Sequence, residues 1–174
     1  GQEIVNQVAQ GDIIESLIIE YHGEDAKNWN ALAAFREFNK SGEDRLKAEQ
    51  KAADEALVLI TKGMMKTESG LFYNITKDGE GLTPTKGSKV SVHYKGILLD
   101  GTVFDSSYQR KQPIEFSVGV GQVIKGWDEG IMLLNKGASA RFVIPSNLGY
   151  GKQGAGDIIP PDSTLIFEVE LLSF

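Results

Sequence analysis

Apolar and polar residues follow two rhythms along this chain, and the change falls near Thr67–Gly70. From Asp12 to His22, Ile13, Ile14, Leu17, Ile18 and Tyr21 recur at helical spacing, which gathers side chains three and four apart on one face. Asp12 caps its start with Glu15 three residues on, and Gly23 ends it. A β-strand is the competing reading, because isoleucine-rich runs also suit sheets. Trp29 to Phe38 sets Leu32, Phe35 and Phe38 on one face. A third segment opens on the capping-box pattern Ser41-Gly42-Glu43-Asp44 and runs to about Met65. Its apolar stripe is Leu46, Ala53, Leu57, Ile60 and Met64.

After Gly70 the period falls to two. Strands are predicted at Leu71–Thr76, Val90–Leu99, Ile114–Val118, Ala138–Ile144 and Thr164–Phe174. In Val90-Ser91-Val92-His93-Tyr94-Lys95 the apolar positions alternate, so Val90, Val92 and Tyr94 share a face and His93 takes the other. Asp100-Gly101 supplies a hairpin turn after Leu99. Gly126 to Leu134 is the one helical stretch in this half. About five strands around one short helix make an α+β architecture. The chain therefore divides into a helical segment, 1–68, and a strand-rich domain, 69–174.

Composition sharpens that division. All five prolines (Pro84, Pro113, Pro145, Pro160, Pro161) and 14 of the 20 glycines lie after position 70. The first 70 residues carry 13 acidic and 8 basic side chains, against 11 and 10 in the remainder. A long acidic helix has too little core of its own and must bury its stripe against something. Docking onto other helices of the chain satisfies that need, and so does an arm for dimerisation or for holding another polypeptide. A net charge of −6 argues against a non-specific grip on nucleic acid. No apolar run approaches the ~20 residues of a membrane span.

Cysteine is absent, and His22 and His93 are the only histidines. Disulfides, thiolate metal sites and cysteine nucleophiles are thereby excluded, and no metal or other cofactor is expected. Gly1 reads as a trimmed end. A cysteine-free chain that has lost a leader suits the periplasm or cell envelope, and otherwise the cytoplasm.

Two motifs fail on inspection. Gly149-Tyr150-Gly151-Lys152-Gln153-Gly154 fits G-x-G-x-x-G, but Pro160-Pro161 follows where a crossover helix would have to run. His93, Asp105 and Ser106 lack the G-x-S-x-G elbow of a hydrolase, and Asp105 is read in a polar turn. What remains is a scattered aromatic set: Tyr94, Phe104, Phe116, Trp127, Tyr150 and Phe167, with Val123-Ile124 and Ile158-Ile159 beside them. Such a set forms either ordinary core or a concave apolar pocket with a few polar groups at its rim. Asp105, the hydroxyls of Tyr94 and Tyr150, and the Ile124 N–H are the rim candidates.

Several blocks resemble one family. They are Val92-His93-Tyr94-Lys95-Gly96, Asp100-Gly101-Thr102-Val103-Phe104-Asp105-Ser106-Ser107 and Val123-Ile124-Lys125-Gly126-Trp127-Asp128-Glu129-Gly130. Leu148-Gly149-Tyr150-Gly151, Ile158-Ile159-Pro160-Pro161 and Thr164-Leu165-Ile166-Phe167-Glu168-Val169-Glu170-Leu171 continue the series. In order and spacing they resemble FKBP-type peptidyl-prolyl cis–trans isomerases across about 71–174. The helical extension before such a domain resembles dimeric bacterial members with chaperone activity.

The resemblance implies an antiparallel half-barrel sheet wrapped around the short helix, with a pocket between them. It implies isomerisation of X–Pro bonds, proline-containing chains as substrates and macrolides as inhibitors. Trp127 would form the pocket floor, and Tyr94, Phe104, Val123, Ile124 and Phe167 its walls. The Ile124 N–H would receive a substrate carbonyl, and Tyr150 would offer a hydroxyl. Asp105, oriented by Arg110 and Tyr94, would sit at the polar edge, while Phe116, Ile158 and Ile159 would join the binding surface. Departures fall at the rim: Ile114 where an aromatic is frequent, Leu148 where a tyrosine is common and Ala155 where a histidine is common. Ala155-Gly156-Asp157 leaves that part of the rim small, which bears on substrate preference and macrolide affinity.

Overall fold

The computed structural model describes residues 31–174. The predicted segment Asp12–His22, the start of Trp29–Phe38, and the side chains of Leu32 and Leu46 lie outside that description. Two compact units divide the chain, residues 1–47 and residues 48–174.

One continuous helix, α1 (Ala31–Ile60), replaces the two segments expected on either side of Ser41-Gly42. Ser41 supplies the reason. Its Oγ donates to the Phe38 carbonyl at 2.7 Å, so the hydroxyl bonds back along the helix instead of capping a new one. The helix also ends at Ile60 rather than near Met65. Gly63, at φ 79°, takes the left-handed conformation that closes a helix at no steric cost. Phe35, Phe38, Val58 and Leu59 are 61–74% exposed. Ala53, Leu57, Ile60 and Met64, from the predicted stripe, are half-buried.

Seven strands follow: β1 (Met65–Lys66), β2 (Phe72–Lys77), β3 (Lys89–Leu98), β4 (Val103–Ser106), β5 (Ile114–Ser117), β6 (Ser139–Ile144) and β7 (Leu165–Ser173). They form one antiparallel sheet in the order β1-β2-β6-β7-β3-β4, with β5 also paired to β3. The five predicted strands are all present, each end within one residue of its expected place. Two more are added. β1 is only two residues long, too short for any period to be read from sequence.

β4 is the more instructive omission, because Phe104 and Asp105 lie on a strand and not in a polar turn. Its pairing with β3 runs Lys95↔Ser106, Gly96↔Asp105 and then Ile97↔Val103, which leaves Phe104 as an extra residue in a β-bulge. A bulge breaks the two-residue alternation and re-aims the side chain it carries. The hairpin before it forms as predicted: Gly101 has φ 90° and Thr102 N–H donates to Asp100 Oδ1 at 2.8 Å.

Along β3 burial alternates strictly, with Val90, Val92, Tyr94, Gly96 and Leu98 inward. Helix α2 (Lys125–Gly130) and a 3₁₀ turn, Ile131–Leu133, cover that inner face and replace the single helix expected to Leu134. The close seat of α2 depends on two glycines. A Cβ at Gly126 would lie 2.6 Å from Ile144 Cγ2, and one at Gly130 would lie 2.8 Å from Phe142 Cε2. Val92, Phe142, Ile144, Leu165 and Leu171, all fully buried, form the core beneath it. The open sheet wrapped around a short helix matches the architecture implied by sequence. Among the described residues, no helix is long and apolar enough to cross a membrane.

Candidate active site

Between α2 and the sheet lies a cavity of about 440 Å³. β3 contributes Tyr94, the bulge of β4 contributes Phe104 and Asp105, and β7 contributes Phe167. Ile114 at the start of β5, residues Gly121 to Ile124, Trp127 of α2 and Tyr150 complete the lining. Trp127 is the hub. Its ring meets Tyr94 edge-on at 4.9 Å, Phe167 edge-on at 5.2 Å and Phe116 at 5.7 Å. Phe104 stands perpendicular to Phe167 at 5.5 Å. Edge-to-face contacts at these distances are favourable for aromatic pairs and fix ring orientation.

Local sequence explains the arrangement. Gly96 faces inward beside the Phe104 bulge, and a Cβ there would come 2.5 Å from Phe104 Cζ and 3.0 Å from Phe167 Cε1. Only glycine lets both rings close over β3 at this point. Tyr94 is held from behind by Ser107, whose buried Oγ accepts the Tyr94 N–H at 2.7 Å. His93, on the outer face, bonds the same hydroxyl at 2.8 Å and stacks on Tyr108, away from the cavity.

The polar edge is one connected group. Asp105 accepts hydrogen bonds from Tyr94 Oη and Arg110 Nη1. Arg110 Nη2 donates to Tyr94 Oη at 2.8 Å, and its guanidinium lies 5.7 Å from the Tyr94 ring centre. Burial alone raises the Asp105 carboxyl pKa, but hydrogen bonds from Tyr94 and Arg110, then the Arg110 charge, outweigh it and hold it below the ordinary value. Burial, then the bond to Asp105, pushes the Tyr94 phenol up. Burial and the nearby Asp105 charge do the same to Tyr150. At neutral pH the carboxylate is therefore charged and both phenols are neutral.

A depressed carboxyl pKa stabilises the folded site at higher pH and loses that contribution as pH falls through the folded value. A raised phenol pKa acts in the opposite sense, and its contribution is lost as pH rises. Activity is accordingly expected to stay flat from about pH 5 to about pH 9 and to fall below about pH 4 and above about pH 10. A rate profile across that range checks this, and a full loss on titrating a single group near neutrality would contradict it.

Of the residues predicted for the site, Tyr94, Phe104, Asp105, Ile114, Val123, Ile124, Trp127, Tyr150 and Phe167 meet at this cavity. Arg110 stands behind Asp105 rather than in the lining. Phe116 is buried against the far side of Trp127. Ala155 and Ile159 bond one another through N–H to carbonyl contacts of 2.9 and 3.1 Å, and Ile159 is buried in the core while Ile158 is 60% exposed. Leu148, read from sequence as a rim position, is a core residue at 7% exposure. Gly121 and Gln122 line the cavity without having been singled out from sequence. Their position just before Val123-Ile124 was the available signal. Among the described residues, no group of three or more His, Asp or Glu side chains could hold a metal ion.

The family model for FKBP-type peptidyl-prolyl cis–trans isomerase matches residues 81–172. The chain belongs to that family. FK506-binding protein 1 of Dictyostelium discoideum is 51% identical over 105 residues, which are 60% of this chain and 98% of the relative. The probable FKBP-type isomerase FkpA of Neisseria meningitidis is 54% identical over 110 residues, 63% of this chain but 40% of that protein. The 22 kDa FKBP-type isomerase of Escherichia coli is 50% identical over 111 residues, 64% of this chain and 53% of its own length. The chain thus matches about half the length of these two bacterial relatives. In structure it is similar to the crystal structure of AtFKBP13, with a TM-score of 0.60 and 39% identity over 63% of this chain and 97% of that one. The range matched by the family model, 81–172, contains every residue that lines the aromatic cavity.

Proposed function

We propose that this peptidyl-prolyl isomerase turns the X–Pro bonds of proline-containing polypeptides inside the cavity floored by Trp127. The observation that carries the reading is the convergence of Tyr94, Phe104, Trp127 and Phe167 on one cavity where Asp105, the only acidic lining residue among those described, is paired with Arg110. Rotation about an X–Pro bond breaks no σ-bond, so it needs neither nucleophile nor metal. The barrier of ~18–20 kcal/mol is amide resonance, and the uncatalysed reaction takes tens to hundreds of seconds. Raising ~0.01 per second to ~100 per second needs a factor of about 10⁴, or roughly 5.5 kcal/mol.

The planar amide is the polar, water-stabilised ground state, while the twisted amide has lost resonance and carbonyl charge. Four aromatic rings that exclude water therefore favour the twisted form relative to the planar one. Placed hydrogen bonds supply the remainder. The Ile124 N–H, which has no hydrogen-bond partner among the described residues, is the donor for a substrate carbonyl. Tyr150, 41% exposed, offers its neutral hydroxyl from the loop. Asp105, fixed by Tyr94 and Arg110, holds the polar edge. Val123 and Ile114 complete the walls, Phe116 supports Trp127, and Ala155, Ile158 and Ile159 shape the surface beyond the cavity. Several relatives are named FK506-binding proteins, and the same cavity is the place for such a macrolide here, with Ile114 and Ala155 setting its affinity.

A second reading assigns client holding and self-association to the helical segment 1–68, ahead of an isomerase domain at 69–174. Four exposed apolar side chains on α1 favour it: Phe35, Phe38, Val58 and Leu59. A chain truncated to residues 67–174 separates the two activities. It is expected to isomerise a short X–Pro peptide at the full rate while losing suppression of client aggregation and sedimenting as a monomer. Equal client protection by both chains would remove the helical segment from that role.

A further inference from the structure

We infer that Asp128 is a positioning residue for the isomerase reaction, holding the cavity wall at residues 119–124 in its working shape. The inference rests on the reading that X–Pro bonds turn in this cavity. Gly121 to Ile124 line one side of it, yet they belong to no strand or helix. Gly119 and Gly121 both sit at positive φ, 77° and 79°. A loop with two glycines and no ladder has many other conformations open to it, so something must select this one.

Asp128 makes the selection. It lies in α2, directly after Trp127, and its half-buried carboxylate turns back over the loop. Oδ1 accepts the Gly119 N–H at 2.8 Å, and Oδ2 accepts the Gly121 N–H at 2.7 Å. Both are charge-assisted bonds, stronger than those between neutral groups. The Ile124 carbonyl accepts the N–H groups of Trp127 and Asp128 at 2.9 and 3.1 Å, which ties the far end of the loop to the same turn of helix. Gln122 Oε1 accepts the Ser117 N–H at 2.8 Å and fastens the middle to β5. The Ile124 N–H is thus aimed by a frame in which, among the described residues, Asp128 supplies the only charged anchor.

Asp128 does not line the cavity, so its removal subtracts no contact with substrate. It lowers the fraction of molecules whose wall is competent, and the apparent affinity of any cavity ligand falls by that fraction. A peptide substrate and a rigid macrolide then lose by similar factors. Loss of global stability has no such signature at a temperature where the variant is fully folded.

The test uses the full chain carrying Asp128→Ala, Asp128→Asn or Asp128→Glu, with an X–Pro peptide and FK506 as probes. Asp128→Ala is expected to lose about tenfold in both kcat/KM and FK506 affinity, on the scale of about 1.4 kcal/mol per factor of ten. Asp128→Glu, which keeps both oxygens, is expected to recover most of the loss. Amide resonances of Gly119, Gly121 and Ile124 should shift or broaden while those of β6 and β7 stay in place. Unchanged rate and affinity in a folded Asp128→Ala chain would overturn the inference, as would changes spread evenly through the sheet. If the alanine chain does not fold, the isosteric asparagine variant decides by the same criteria. A wild-type chain with no activity overturns the reading of the cavity, and the Gly119 and Gly121 resonances still decide the tether, since they report loop order without catalysis.

Discussion

Phe104→Ala is expected to lower kcat/KM on an X–Pro peptide about a hundredfold while the chain stays folded, a loss of about 2.7 kcal/mol of the activation free energy. Phe104 owes its place to the β-bulge opposite Gly96 and to its perpendicular contact with Phe167. Truncation at this wall admits water to the site of the twisting amide, which returns to the planar form its solvation advantage. The fold tolerates the change because Phe104 is half-buried on an edge strand, so the cost stays below the ~3–5 kcal/mol of a fully buried phenylalanine. Steady-state kinetics with circular dichroism of both chains checks the outcome. Equal rates would remove Phe104 from the site.

The second large effect falls on the seat of α2. Gly130→Val would drive a branched side chain against Phe142, where even a bare Cβ comes within 2.8 and 2.9 Å of the ring. Phe142 is fully buried in the sheet's inner face and cannot swing into solvent. The helix must lift or the core must shift, and overpacking of this kind costs about 3 kcal/mol. For a domain of this size that lowers the melting temperature by on the order of 10 °C. Trp127 lies one turn before Gly130 on the same helix, so lifting α2 also disturbs the cavity floor, and activity should fall below the level that stability alone explains. A melting curve superimposing on wild type would show that the close seat is not needed.

The strict alternation of β3 announced its inward face, and with it Tyr94, because one buried face and one open face impose a period of two. The Asp100-Gly101 hairpin was legible for the same local reason. Phe104 is legible as one of a scattered aromatic set, but its place in a pocket wall comes only through the family resemblance. The bulge that aims it breaks the very period by which a strand is recognised, so β4 read as a turn. The join at Ser41-Gly42 was hidden because a capping pattern and a back-bonding serine look alike in sequence, and the bond to Phe38 decides between them. Leu148 and Ile159 read as rim positions in sequence because a loop's return path is not written locally. The Ala155–Ile159 pairing turns that loop back and sends Ile159 into the core. Gly121 and Gln122 are legible only by their place before Val123-Ile124, because their contribution is position, fixed by Asp128 and Ser117, rather than side-chain chemistry.

The most direct test of the account is exchange spectroscopy by NMR on a short X–Pro peptide with a catalytic amount of the wild-type chain. The cis and trans signals are expected to exchange orders of magnitude faster than the uncatalysed ~0.01 per second, and FK506 added in excess should return them to that rate. Exchange that stays at the uncatalysed rate with folded protein present would contradict the assignment of isomerisation to this cavity.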